Sequence, residues 1–229
     1  MKRAIGILGF GLLLMAAPAT FGGWAVITVQ ELPEYLETGR PSTLAFTVRQ
    51  HGVAPLEGLS PSVRIQRGSV MRLFNRDRVD AVPSGAPGRY EVVIPAQEAG
   101  EVQVTIDLNW HEAKMTLLPL RVVAAGQESD PTPVSERGRQ LFIAKGCVTC
   151  HLKRDDGEMI GRHVADIGPA LTNRQFPSDW LVAKLADPAK YRAPDQWGMP
   201  TLNLSDEEIA ALTRYVNGQS RGSLRSGNQ

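Results

Sequence analysis

Both cysteines of this 229-residue chain fall in one pentapeptide, Cys147-Val148-Thr149-Cys150-His151. A bare Cys-x-x-Cys serves as a redox dithiol or as half of a zinc site, and the chain has no further cysteine to complete a four-cysteine zinc cage. The adjoining histidine gives a third reading. Two thiols at this spacing reach the two vinyl groups of one porphyrin, and the next residue sets an imidazole under the iron. With both sulfurs consumed, no disulfide is left to staple the fold. Core burial and packing around one covalent haem c must then hold it together.

A second axial ligand is expected downstream. Met199 sits in Trp197-Gly198-Met199-Pro200, where Gly198 and Pro200 keep the backbone out of helix and strand. A loop thioether can turn inward, and Pro200 has no N–H that burial would leave unpaired. Met159 is the competitor, but it follows His151 too closely to reach the other face of a haem. The Met199 loop precedes a well-marked helix: Ser205 and Glu208 form a capping box, Asp206, Glu207 and Glu208 favour the positive helix end, and Ile209, Leu212 and Val216 repeat at helical spacing up to Gly218. An earlier helix holds Gly138, Leu141, Phe142 and Lys145, with Ser135 as its expected cap. A third runs from Ser178 through Trp180, Leu181 and Leu185 to Asp187-Pro188, and Ile167-Gly168-Pro169-Ala170-Leu171 reads as a constrained loop.

On these residues the segment 134–217 resembles the class I cytochrome c family. Gly138 and Phe142 match its first-helix positions, and Tyr215 matches the aromatic that packs across them. Gly168-Pro169 matches the loop beside the proximal histidine, and Met199-Pro200 matches the distal loop. The resemblance implies an all-α shell around one haem, bound through Cys147 and Cys150 and ligated by His151 and Met199. It also implies that the C=O of Pro169, or a neighbouring carbonyl, holds the His151 ring N–H.

The first residues read as an export signal over 1–19. Lys2 and Arg3 precede an apolar stretch, and Ala17-Pro18-Ala19 offers a cleavage site. Apolar residues continue through Phe21 and Trp24, so an uncleaved anchor is the alternative. Export agrees with a haem attached outside the cytoplasm and points to the periplasm or the extracytoplasmic face of the membrane.

Residues 24–123 alternate as strands do, in Trp24–Val29, Thr43–Val48, Val63–Gln66, Tyr90–Ile94, Val102–Leu108 and Met115–Val123. Pro/Gly clusters such as 83–88 separate them, which predicts an antiparallel, Ig-like β-sandwich. The chain as a whole is thus expected to be a two-domain α+β protein. The sandwich is similar to YtkA-like and FixH-like modules through Gly39-Arg40-Pro41, Pro87-Gly88-Arg89-Tyr90 and the strand Gly100–Leu108. That resemblance implies a fold and an association with membrane redox or metal-handling systems. Without a cysteine the sandwich has no blue-copper site. A Cu(I) site would have to draw on His51, His111, Met71 and Met115, and a plain docking or scaffold module is the simpler reading. Residues 124–133 are polar and Pro-rich and read as a linker that few contacts cross. The tail over 218–229 is Ser/Gly/Asn-rich and reads as disordered.

Net charge is +1, with no basic excess for nucleic acid. Lys145, Lys153 and Arg154 flank the haem motif and present a local docking patch for a redox partner, the alternative being an ordinary solvated surface. Together these features predict a monohaem electron carrier, or an electron-entry subunit of a respiratory or photosynthetic chain, rather than an enzyme. It would meet redox proteins, above all a membrane-bound complex, with membrane association through its N-terminus or that partner. A peroxidase-like haem enzyme would want a distal acid–base group, and His163 is the spare histidine of this half. A haem sensor or structural subunit is the other alternative, but no output domain accompanies it.

Overall fold

A computed structural model describes residues 24–67, 76–127, 130–155, 158–159, 168–192 and 198–218. The export signal, Met71, His163, Trp197 and the tail beyond Gly218 lie outside these residues, as does the side chain of Met159.

The N-terminal half is β-rich. Its strands are β1 (Ala25–Val29), β2 (Tyr35–Glu37), β3 (Ser42–Gln50), β4 (Ala54–Pro55), β5 (Ser62–Arg67), β6 (Arg76–Asp80), β7 (Val82–Pro83), β8 (Arg89–Ile94), β9 (Gly100–Asp107), β10 (Lys114–Thr116) and β11 (Leu120–Val123). One sheet runs β1-β3-β8-β7, with β4 beside β3; the other runs β2-β11-β9-β5-β6, with β10 beside β9. Pairing is antiparallel except that β2 runs parallel to β11. Phe46, Val48, Tyr90 and Val92 of the first sheet and Val63, Ile65, Val104 and Val122 of the second belong to one buried cluster, as the alternating pattern requires. Tyr90 is buried, and its hydroxyl donates to Leu56 O at 3.0 Å and accepts from Leu59 N at 3.2 Å. The expected strand Met115–Val123 is broken at Leu117–Pro119, because Pro119 cannot donate to a ladder.

The C-terminal half is built on helices α1 (Val134–Ala144), α2 (Ser178–Ala186) and α3 (Asp206–Asn217). A short antiparallel ribbon, β12 (Arg154–Asp155) with β13 (Glu158–Met159), departs from an all-helical domain. Helix α1 starts two residues earlier than expected: Pro133 takes the cap position and Ser135 lies inside the first turn, with no side-chain cap. The capping box at the start of α3 is present, Ser205 Oγ accepting from Glu208 N and Ser205 N donating to Glu208. Helices α1 and α3 cross at Gly138. A Cβ there would lie 2.2 Å from Ala211 O and 2.5 Å from Tyr215 Cβ, so only glycine lets the two helices meet. Phe142 and Tyr215 then pack ring to ring at 5.4 Å.

The polar linker does not keep the halves apart. Arg121 donates to Asp130 O and Thr132 Oγ1, folding the linker back onto β11. Arg137 of α1 donates to the carbonyls of Leu32 and Pro33. Burial lowers its guanidinium pKa. Lys145, 1% exposed, donates to Gln30 O at 2.5 Å and pairs with Glu208 at 2.7 Å, so one ammonium joins the sandwich, the end of α1 and the start of α3. These side chains of α1 thus bridge to the sandwich, Lys145 from a buried position and Arg137 from a partly buried one. Among the described residues no helix is long and apolar enough to cross a membrane.

Candidate haem-binding site

The end of α1 delivers the attachment motif. Gly146 stops the helix in a left-handed conformation (φ 79°), and Cys147–Thr149 form a single 3-10 turn. That turn faces both half-buried cysteines toward a cavity of about 250 Å³. His151, Pro169 and Met199 line the same cavity, so all five residues singled out from the sequence come together. The remaining walls are mostly apolar, with Phe142, Leu171, Leu181, Leu185, Leu212 and Val216 prominent among them.

His151 is held from behind. Its Nδ1 lies 3.0 Å from Pro169 O, so Nδ1–H donates to the carbonyl and the Nε2 lone pair remains for a metal. Gly168 lets the loop come this close: a Cβ there would sit 2.6 Å from both His151 Nδ1 and Cys150 O. The loop is pinned further by Gly168 N to Cys150 O and by Leu171 N to Leu152 O. On another wall Phe176 stacks on Trp180 at 5.5 Å, and the Asn217 side chain clips the Phe176 backbone with two 2.9 Å bonds at the end of α3.

Thiol chemistry separates the readings of the motif. Burial pushes Cys147 up to about 12 and Cys150 up to about 11. A dithiol redox centre favours a depressed thiol pKa, and burial acts here in the opposite direction. Sulfurs destined for thioether bonds face no such demand. Two thiols, an imidazole with its outer nitrogen already bonded, and a thioether in one apolar cavity fit a covalently bound haem.

The docking patch expected at Lys145, Lys153 and Arg154 is not formed. Lys145 is the buried strut described above. Lys153, also 1% exposed, donates to Val216 O and Gly218 O and lies 5.0 Å from the Tyr215 ring, capping the carbonyl end of α3. Arg154 alone of the three is exposed. For the proposed Cu(I) set, Met115 is buried in the sandwich core and Met71 lies outside the described residues. Among the described residues no three His, Cys, Asp or Glu side chains gather as a metal cluster. Several lining residues escaped the sequence reading, among them Phe176, Leu202 and, from the sandwich, Val26. The signal for Val26 was no more than its place in the strand Trp24–Val29.

A helical shell closing an apolar cavity over Cys-x-x-Cys-His defines a covalent-haem domain. Residues 135–220 match the sequence model of the family described as Cytochrome c, and this segment is a class I c-type cytochrome domain. The family implies covalently bound haem c and a haem-based electron-transfer protein. The sandwich lies outside that match. No curated protein matches the chain. Among solved structures, the chain is similar to domains 4 and 5 of the S-layer protein SbsC (TM-score 0.30, 17% identity, 44% of this chain and 54% of that one). It is also similar to the ZirS C-terminal domain (0.30, 14%, 53% and 86%) and to superoxide reductase (neelaredoxin) from Ignicoccus hospitalis (0.29, 18%, 42% and 80%). The chain spans only about half of the first of these, and likeness at such scores carries no argument about function.

Proposed function

We propose that this protein is a monohaem c-type cytochrome that moves electrons outside the cytoplasm, with His151 and Met199 as axial ligands. It would act as a carrier or as the electron-entry subunit of a membrane-bound respiratory or photosynthetic complex. The observation that carries the reading is that Met199 lines the same cavity as Cys147, Cys150 and His151. Haem supplies one-electron chemistry at iron, and a thioether ligand favours the reduced state relative to a second imidazole. The chain's own residues would hold the group: Cys147 and Cys150 through their sulfurs, His151 with its ring anchored by Pro169 O, and Met199, while the apolar walls would exclude water. A saturated iron offers no substrate site, which favours transfer over a peroxidase-like reaction. The export signal supports a place in the periplasm or on the extracytoplasmic membrane face.

Substitution at the sulfur tests the ligand set. Met199→Ala should open the iron to carbon monoxide, and Met199→His should keep low-spin iron at a lower potential. Met159→Ala should do neither. An open iron in Met159→Ala with an unchanged Met199→Ala protein would reverse the assignment. Acid-acetone should leave one haem on the chain, and co-purification from native membranes should return a redox complex; extractable haem or a soluble non-redox partner would count against the proposal.

A further inference from the structure

Strand β1 is the edge of its sheet and pairs only with β3, yet all five of its residues are buried. A sheet that faces water on one side leaves alternate residues exposed. Ala25, Ile27 and Val29 belong to the hydrophobic core. Val26 and Thr28 occupy the other face and are only 2% and 1% exposed, because the haem domain covers them. Thr28 Oγ1 reaches Lys145 O at 3.5 Å, and Val26 lines the haem cavity.

Two glycines locate the Val26 methyl groups. A Cβ on Gly146, the residue before Cys147, would lie 2.7 Å from Val26 Cγ1 and 2.4 Å from Ile27 O. A Cβ on Gly52, in the turn between β3 and β4, would lie 3.5 Å from Val26 Cγ2 and 3.9 Å from both Gly198 O and Pro200 Cδ. Val26 thus lies between the attachment turn and a hairpin turn that faces the Gly198 carbonyl and the Pro200 ring, on either side of Met199. Gly52 has φ 74° and Gly146 has φ 79°, so each position needs glycine for its backbone as well as for the close approach.

We propose that Val26 is a positioning residue for the haem crevice: through Val26 and the Gly52 turn, the β-sandwich holds the Met199 loop against the attachment turn and sets how readily Met199 leaves the iron. The inference rests on Met199 being the sixth ligand. Residues 198–204 form no helix or strand of their own, and such segments open locally at low free energy unless something rigid braces them. Here the brace is a sheet edge. An outside ligand binds only the open form, so its apparent affinity scales with the open fraction. Truncating Val26 to alanine removes packing equivalent to about two methyl groups, which corresponds to about a tenfold rise in that fraction.

The test uses the full-length ferric holoprotein and titrates it with imidazole, following replacement of thioether ligation by absorbance. Val26→Ala should bind imidazole about tenfold more tightly than the parent. Val26→Thr keeps the shape and remains informative if the alanine variant does not accumulate; it should move the same way by less. Val93→Ser, on the exposed face of β8, should bind as the parent does. Denaturant unfolding of the same samples separates stability from ligand release. The proposal is overturned if Val26→Ala and Val26→Thr titrate like the parent, or if Val93→Ser matches them. A parent protein with no thioether-ligation band would instead sink the Met199 assignment itself.

Discussion

Replacing Lys145 by methionine keeps the aliphatic stem and deletes the charge. The ammonium lies 2.7 Å from Glu208 Oε1 and 2.5 Å from Gln30 O, and the lysine side chain is 1% exposed against 15% for its partner. Removing one member of a buried pair leaves the other charge uncompensated and costs about 3–5 kcal/mol. Glu208 retains some water and its bond to Ser205 N at 3.2 Å, which places the loss near the lower end, about 3 kcal/mol. At roughly 2–4 °C per kcal/mol for a chain of this size, the melting temperature should fall by about 6–12 °C. The pair is scarcely in contact with salt, so the loss should persist at high ionic strength. Adding Glu208→Gln to Lys145→Met removes the stranded carboxylate and should recover part of the loss. Thermal and denaturant unfolding of the parent, the two single variants and the double variant measure the coupling. A Lys145→Met protein of parental stability, with a salt-dependent loss of partner association, would refute the buried strut and restore lysine as a docking charge.

Three further outcomes follow from the packing. Gly138→Ala gains about 1 kcal/mol of helix propensity, but its Cβ would stand 2.2 Å from Ala211 O, and that overlap with a backbone atom should win; net destabilisation in unfolding experiments is expected, and net stabilisation would contradict the close crossing. Gly168→Ala should press on the His151 ring, 2.6 Å from the new carbon, and alter the iron's spectrum and potential while the haem stays attached. Lys153→Met should fray the end of α3 and lower stability by about 1–3 kcal/mol, measured by denaturant unfolding, because two carbonyls lose a charged donor.

Much of the site was legible in the sequence because it depends on local chemistry. Cys147, Cys150 and His151 are adjacent for a covalent reason, and the Ser205–Glu208 box is closed within one helical turn. The helix crossing at Gly138 and the loop at Gly168 tolerate little else. Elements without such local demands were hidden. Strand β6, Arg-Asp-Arg-Val-Asp, has no apolar alternation to announce it, and the β12–β13 ribbon pairs only two residues on each side.

What the amino-acid sequence determined by itself was the haem attachment chemistry, the helical and sheet character of the two halves, and the glycine at the crossing of α1 and α3. Only the tertiary structure decided the fates of Lys145, Lys153 and Val26. Nothing near a lysine in sequence says whether water or a carbonyl will receive its charge, and the acceptors of Lys145 and Lys153 lie 115, 63 and 65 positions away. Val26 reads as any strand residue until the second domain arrives on the open face of β1. Burial and charge pairing of this kind are properties of two surfaces meeting, so they exist only after the chain has brought those surfaces together.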